Sequence, residues 1–275
     1  MSGGGYAWVV PALEKAYEHR EDILNLWQRL VRALRSKARV SMVGAPGVGK
    51  TAVLRALSGL ALTQGTSRDR EQGRIRGIAE KIDLITVPGQ IGQERDRILD
   101  DEFQTPPVGV VYFTAFGYST VRSEVSRAEL QQAYPTLDAI RQIHMNSELS
   151  VLEELSDRIA KSLRRGNVRW SDRVPRFLLV VPTKIDLYYE TILEARDYYS
   201  VEGNSAFADK LRALQRRVGE QNLRVESVPV SAGDDPFGWA QDIEISTQFL
   251  ERHRKFFQHQ LVQAIAELCR AVDGV

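Results

Sequence analysis

The sequence predicts a doubly wound α/β fold: a mostly parallel sheet of about six strands with helices on both faces. Three observations carry that expectation. Short apolar or β-branched runs at 39–43, 82–86, 108–113 and 177–181 have the length and continuity of strands covered on both sides. Segments of helical composition or of three-and-four apolar spacing separate them, as parallel crossovers require. Glycine-bearing or charged strings follow the C-terminal ends of these runs, where open α/β sheets hold their ligands.

Ahead of the first strand, Leu13, Tyr17, Leu24, Trp27, Leu30, Val31 and Leu34 recur at helical spacing across 12–36, with Glu14, Glu18, Glu21 and Asp22 early and Arg29, Arg32, Arg35 and Lys37 late. That order of charge complements the helix dipole. Residues 1–37 therefore read as an N-terminal helical extension, packed on its own domain or serving as a partner or dimer helix, and 38–275 as a single domain.

The first strand runs into Gly44-Ala45-Pro46-Gly47-Val48-Gly49-Lys50-Thr51, a complete G-x-x-x-x-G-K-[ST] phosphate loop, and 51–60 has helical composition. A loop between a strand and a helix N-terminus aims the N–H groups of Gly47, Val48, Gly49, Lys50 and Thr51 at one phosphate, with the positive end of the helix dipole behind them. Lys50 reaches the β/γ oxygens as a point charge, and the Thr51 hydroxyl ligates Mg²⁺. Pro46 lacks an N–H, which stiffens the loop and removes one donor. The chain is expected to bind a nucleoside triphosphate.

Further along, 73–78 reads as an antiparallel edge strand, and 82–86 as a strand leading into Thr86-Val87-Pro88-Gly89-Gln90. Strand 108–113 is followed by a helical insert of about 118–173, with Leu137, Ile140 and Ile143 on one helix and Leu149, Leu152, Leu155, Ile159 and Leu163 on the next. Strand 177–181 leads into Thr183-Lys184-Ile185-Asp186, and another strand-like run into Val228-Pro229-Val230-Ser231-Ala232-Gly233. A carboxylate at 186 accepts from both the ring N–H and the exocyclic amine of guanine, a donor pair that adenine lacks, and the Ser231-Ala232 backbone is placed for the guanine carbonyl. Tyr188, Tyr189, Tyr198 and Tyr199 crowd the next segment, as interface, base cover or core. Phe249, Phe256, Leu261, Ile265 and Leu268 make a C-terminal helix that closes one face of the sheet.

Taken in this order, the phosphate loop, the Pro-Gly-Gln turn, Thr-Lys-x-Asp and Ser-Ala make 39 to about 272 resemble the Ras-like, translation-factor-related GTPases. The Thr-Val-Pro-Gly-Gln string is similar to that of bacterial polarity GTPases of the MglA type. The resemblance implies GTP/GDP and Mg²⁺ as ligands, and GTP hydrolysis used as a switch toward effector and regulatory proteins. It implies that Gly44, Gly47, Val48, Gly49, Lys50 and Thr51 hold the phosphates, that the Gly89 N–H meets the γ-phosphate and that Gln90 orients the attacking water. Thr183, Lys184 and Asp186, with Ser231 and Ala232, would hold the nucleoside. In the triphosphate state Thr66, with Thr63 as second choice, would join Thr51 on the metal. Arg68 and Arg70, in a stretch that also holds Arg74 and Arg76, are candidates for a catalytic cation supplied in cis, the alternative being an edge strand guarded by charge. Arg95 and Arg97 read as surface.

One departure stands out. Thr86 occupies the position where most of the family has an aspartate holding a metal-bound water, and Asp83 lies at an odd separation along the strand, so the two side chains point to opposite faces. The second functional expectation is therefore a hydrolysis-deficient GTP/GDP-binding scaffold or interaction module.

Composition narrows the class. Motifs spread from 44 to 232 in a chain of 275 residues favour one elaborated domain, and Lys+Arg 37 against Asp+Glu 36 gives no global attraction to nucleic acid or anionic lipid. No run is long enough to span a membrane, Met1-Ser2-Gly3-Gly4-Gly5 lacks the parts of a signal peptide, and the C-terminus carries no lipidation motif. Cys269 is the single cysteine, which excludes an intrachain disulfide and suits the cytoplasm; His19, His144, His253 and His259 lie too far apart for a structural zinc site.

Overall fold

A computed structural model describes residues 38–58, 71–74, 82–89, 92–104, 106–163, 174–233, 235–239 and 243–273. The N-terminal extension, Thr63, Thr66, Arg68, Arg70, Arg76 and Gln90 lie outside the described residues, and of Asp83 and Arg74 only the backbone is described.

Strand β1 (Ala38–Gly44) is central in the sheet. It pairs in parallel with β3 (Ile82–Thr86) on one side and β4 (Gly109–Thr114) on the other. The order is completed by β2 (Glu71–Arg74), antiparallel on the outer edge of β3, and by β5 (Phe177–Pro182) and β6 (Arg224–Ser227) beyond β4. Six strands, five of them parallel, realise the expected doubly wound sheet. The edge strand begins two residues before the expected 73–78. Every residue of β4 and β5 is buried, which is why these strands read as unbroken apolar runs. They approach closely at Gly109, where a Cβ would stand 2.0 Å from the Phe177 ring.

Connections from β1 to β3 and from β4 to β5 run in opposite directions along the sheet, so right-handed crossovers place their helices on opposite faces. Helix α1 (Lys50–Ser58) packs with α7 (Glu251–Asp273). Opposite them, α4 (Leu137–Leu163) packs between α2 (Gln93–Gln104) and α6 (Ala206–Val218), and α5 (Ile192–Tyr199) packs on α6. The two apolar runs expected on separate helices share the 27-residue α4, because 144–148, His-Met-Asn-Ser-Glu, holds neither glycine nor proline to stop it. A separate helix, α3 (Glu124–Ala133), precedes it, with the Ser123 side chain accepting from Ser126 N. A ribbon of β7 (Phe237–Gly238) and β8 (Glu244–Ile245) was not anticipated; beside it, buried Trp239 donates from Nε1 to Tyr134 O at 2.8 Å. Among the described residues, no helix is long and apolar enough to cross a membrane.

Two titratable residues, His144 and Glu148, lie on the apolar stripe of α4. Ile140, His144, Glu148 and Leu152 follow one another at four-residue spacing and all are buried. Both polar side chains hold the turn that follows β4. Glu148 Oε1 accepts from Ala115 N at 2.9 Å, its other oxygen accepts from the Tyr199 hydroxyl, and His144 Nδ1 lies 2.8 Å from Gly117 O. Tyr199 OH in turn accepts from Phe116 N at 3.0 Å, which helps hold Phe116 at φ 48°, a conformation that costs a non-glycine residue about 1 kcal/mol.

Burial raises the Glu148 carboxyl from 4.5 to about 7. The unfolded chain releases this proton near its ordinary value while the folded chain retains it, so the contribution of Glu148 to stability is largest at low pH and declines toward neutrality. Wild type minus Glu148→Gln, measured by urea unfolding, should accordingly fall by about 3 kcal/mol between pH 4.5 and pH 7.5. A difference that does not change with pH would mean that Glu148 does not hold the proton.

Candidate nucleotide site

The phosphate loop crosses the C-terminal end of the sheet at β1, where the strand order reverses. Its carbonyls are tied down one after another. Lys50 Nζ donates to Gly44 O at 2.8 Å and to Ala45 O at 2.9 Å, Thr120 N to Gly47 O at 3.1 Å, the Thr183 hydroxyl to Val48 O, and Val53 N to Gly49 O at 3.0 Å. Gly47 and Gly49 adopt φ 74° and 91°, and a Cβ at Gly47 would meet Thr120 O at 2.2 Å. Lys50 is buried, and its ammonium is lowered to about 7, chiefly by desolvation and secondarily by the charge of Arg95. Gly89 closes the same spot: a Cβ there would lie 2.6 Å from Lys50 Nζ and 2.9 Å from Ala45 O. Gly47, Gly49, Lys50 and Gly89 border a cavity of about 730 Å³, which Thr51, Thr86, the 119–123 segment, Ser126, His144 and Ser147 also line. A glycine cradle around a buried amine fits a phosphate chain.

At the other end of the loop the residues expected to hold the nucleoside converge. Thr183 is buried, with its hydroxyl also 2.8 Å from Thr114 O. Lys184, at φ 55°, donates from Nζ to Tyr118 O at 2.7 Å and to the Thr120 hydroxyl at 2.6 Å. Desolvation lowers it to about 8 against the opposing pull of Asp186. Buried Asp186 accepts from the Ser231 hydroxyl at 2.6 Å, while Ser231 O accepts from Gln258 Nε2 at 3.1 Å. Ser231 thus orients the carboxylate through its side chain, a contact that its sequence position did not reveal. Of the four tyrosines, Tyr188 and Tyr199 are core, and Tyr188 stacks on Tyr118 with ring centres 5.5 Å apart.

Thr51 is half-buried at the cavity wall, whereas the buried Thr86 hydroxyl points to Met42 Sδ at 3.7 Å. The described residues contain no cluster of three His, Cys, Asp or Glu that could hold a metal. Mg²⁺ here would be held by the Thr51 hydroxyl together with the phosphates themselves, a donor set that suits a hard cation which keeps most of its waters.

Arg97 is exposed and paired with Glu94 at 3.0 Å, but Arg95 corrects its surface reading. It is 2% exposed, bound through Nη1 to Glu154 Oε2 at 2.8 Å, with Nε and Nη2 lacking hydrogen-bond partners. The clue lies in the helix period, since Arg95, Ile98, Leu99, Glu102 and Phe103 share the buried stripe of α2. Arg158 adds a bridge between the helices, pairing with Glu154, Asp96 and Asp100. Removing one partner of a buried ion pair strands the other, whereas exposed pairs contribute little. Glu154→Gln should therefore destabilise the fold by about 2–3 kcal/mol in chemical denaturation, and Asp100→Asn by under about 0.5 kcal/mol. Equal effects would mean that the Arg95 pair is no stronger than a surface contact.

Residues 39–142 match the MMR_HSR1 family, described as 50S ribosome-binding GTPase. No curated protein matches the chain. Among solved structures, Toc33 from Arabidopsis thaliana in complex with GDP and Mg²⁺ aligns at 14% identity over 92% of each chain, with a TM-score of 0.50. The same protein with Mg²⁺ and GMPPNP aligns at 14% identity over 92% of this chain and 93% of that one, also with a TM-score of 0.50. The fold is that of a P-loop GTPase G domain, and the family match over the phosphate loop and Gly89 supports binding of GTP.

Proposed function

We propose that the protein hydrolyses GTP and uses the change around the γ-phosphate as a switch that controls a protein partner. The observation that carries this reading is the meeting, at one end of the sheet, of the tied phosphate loop with a buried carboxylate whose one hydrogen-bond donor among the described residues is Ser231. That carboxylate offers its remaining acceptor capacity to a purine edge with two donors, which is guanine.

In the reaction water adds to the γ-phosphorus, the bond from that phosphorus to the β–γ bridging oxygen breaks, and GDP and phosphate leave. Lys50 exchanges the Gly44 and Ala45 carbonyls for phosphate oxygens and regains a full charge as the anion offsets its desolvation. The loop N–H groups hold the β-phosphate, the Gly89 N–H faces the γ-phosphate, and Gln90 aligns the water. Thr51, joined by Thr66, would hold Mg²⁺, which when bound supplies neutralising charge on the β and γ oxygens. A second reading, a scaffold that holds GTP or GDP without turnover, is favoured by neutral Thr86, whose hydroxyl is engaged with Met42.

Single-turnover phosphate release separates the two. Gln90→Leu should lower the rate while leaving GTP affinity within a few-fold, and a wild type that releases no phosphate selects the scaffold. Base recognition has its own test. In Asp186→Asn the Ser231 hydroxyl keeps the amide oxygen, and the new NH₂ group faces the guanine donors. GTP affinity should drop by ~2–4 kcal/mol, roughly 30- to 1000-fold, and XTP should be accepted in its place. Competition among GTP, XTP and ATP reads this directly, and a variant that still prefers GTP ends the guanine assignment.

A further inference from the structure

We infer that Arg122, from the turn between β4 and α3, supplies a cation in cis to the phosphate chain and acts on the charge that develops during hydrolysis. The inference rests on the GTPase reading and adds a residue to it.

The turn is docked on the phosphate loop and fixed on both sides of Arg122. Upstream, Thr120 N donates to Gly47 O at 3.1 Å, and Lys184 Nζ holds Tyr118 O at 2.7 Å and the Thr120 hydroxyl at 2.6 Å. Downstream, Arg127 donates from both Nε and Nη2 to Val121 O, at 3.0 and 2.7 Å, and Ser123 caps α3. The Arg122 side chain is exposed and has no hydrogen bond or ion pair among the described residues. Its neighbours are engaged: Arg127 with Val121 O, and Arg141 over the Phe116 and Tyr118 rings at 4.9 and 5.0 Å.

What Arg122 does face is the cavity of the phosphate loop, whose wall it shares with Lys50, Thr51, Pro46 and Gly89. No carboxylate is among the described residues lining that cavity, which holds two basic side chains, Lys50 and Arg122, amid hydroxyls and backbone. Two basic side chains with no carboxylate beside them among the described residues favour an anion there. The charge of Arg122 also helps lower the Lys184 ammonium, after burial. When the terminal phosphorus separates, negative charge moves onto the bridging and β oxygens. A permanently charged, forked donor on a fixed turn can meet that charge with little reorganisation. Arg122 is thus an alternative source for the role that the sequence offered to Arg68 and Arg70.

The test compares wild type, Arg122→Ala and Arg122→Lys in single-turnover GTP hydrolysis, with GDP affinity and thermal melting measured alongside. Arg122→Ala should hydrolyse roughly 100-fold more slowly, with Arg122→Lys between it and wild type, because an ammonium keeps the charge and loses the fork. GDP affinity should stay within a few-fold and melting should be unchanged, since the side chain bonds nothing among the described residues. The wild-type rate per molecule should be independent of protein concentration. Equal rates for wild type and Arg122→Ala overturn the Arg122 assignment and leave the GTPase reading intact. Absence of turnover in wild type overturns that reading, and the role of Arg122 with it. A wild-type rate that rises with protein concentration, with Arg122→Ala rescued by added Lys50→Ala protein, overturns the action in cis.

Discussion

The site depends on how the carbonyls of the phosphate loop are held. A loop with three glycines in six residues gains entropy by unravelling, and a peptide unit free to rotate presents either its N–H or its C=O to a ligand. Here Lys50 takes the carbonyls of Gly44 and Ala45, Thr120 that of Gly47, Thr183 that of Val48 and Val53 that of Gly49. With the carbonyls of Gly47, Val48 and Gly49 engaged, the opposite ends of the same peptide planes carry the N–H groups of Val48, Gly49 and Lys50 that a phosphate needs. The partners come from α1, from the turn after β4 and from the end of β5, so the loop is only as well ordered as the sheet beneath it.

That dependence gives α4 its part in the site. The turn after β4 contains two residues at positive φ, Phe116 and Gly117, and is held by Glu148 and His144 from the helix and by Tyr199 from α5. A displacement of α4 is therefore felt at Thr120, and through Gly47 at the phosphate loop. The other long contact of α4 is with α2, through Arg95, Arg158 and Glu154. Helix α2 begins four residues after Gly89, so α4 contacts the segment that follows β3 as well as the turn that follows β4.

Sheet and phosphate loop were legible because their signals are local: a buried parallel strand is a short apolar run, and the loop needs its glycines, lysine and threonine at fixed spacing. Glu148, His144 and Arg95 were missed although each sits on the apolar stripe of its helix. A polar residue on such a stripe is ambiguous until its partner is known, and the partners Ala115, Gly117 and Glu154 are 27 to 59 positions away. Ser231 illustrates the same limit on a smaller scale. Its position beside the nucleoside motif was readable, but the bond from its hydroxyl to Asp186, 45 residues earlier, is a product of the β5–β6 pairing. Arg122 carries no local signature at all, and only the docking of its turn on Gly47 brings it to the cavity.

Electrostatics then gives a reason for the threonine at 86. The position is 2% exposed, and a carboxylate there would carry a large desolvation cost whenever the metal was absent. It would also draw the Lys50 ammonium into an ion pair across the cavity, in competition with phosphate. Thr86 avoids both by turning its hydroxyl to Met42. The site is left with the positive potential of Lys50 and Arg122 undiminished by any described carboxylate on its wall. In the proposed function, anion affinity would come mainly from Lys50, Arg122 and backbone N–H groups, and less from a metal held by its own aspartate. In that function, positive charge that the resembled GTPases bring in on a metal held through an aspartate at this position would be supplied by Lys50 and Arg122.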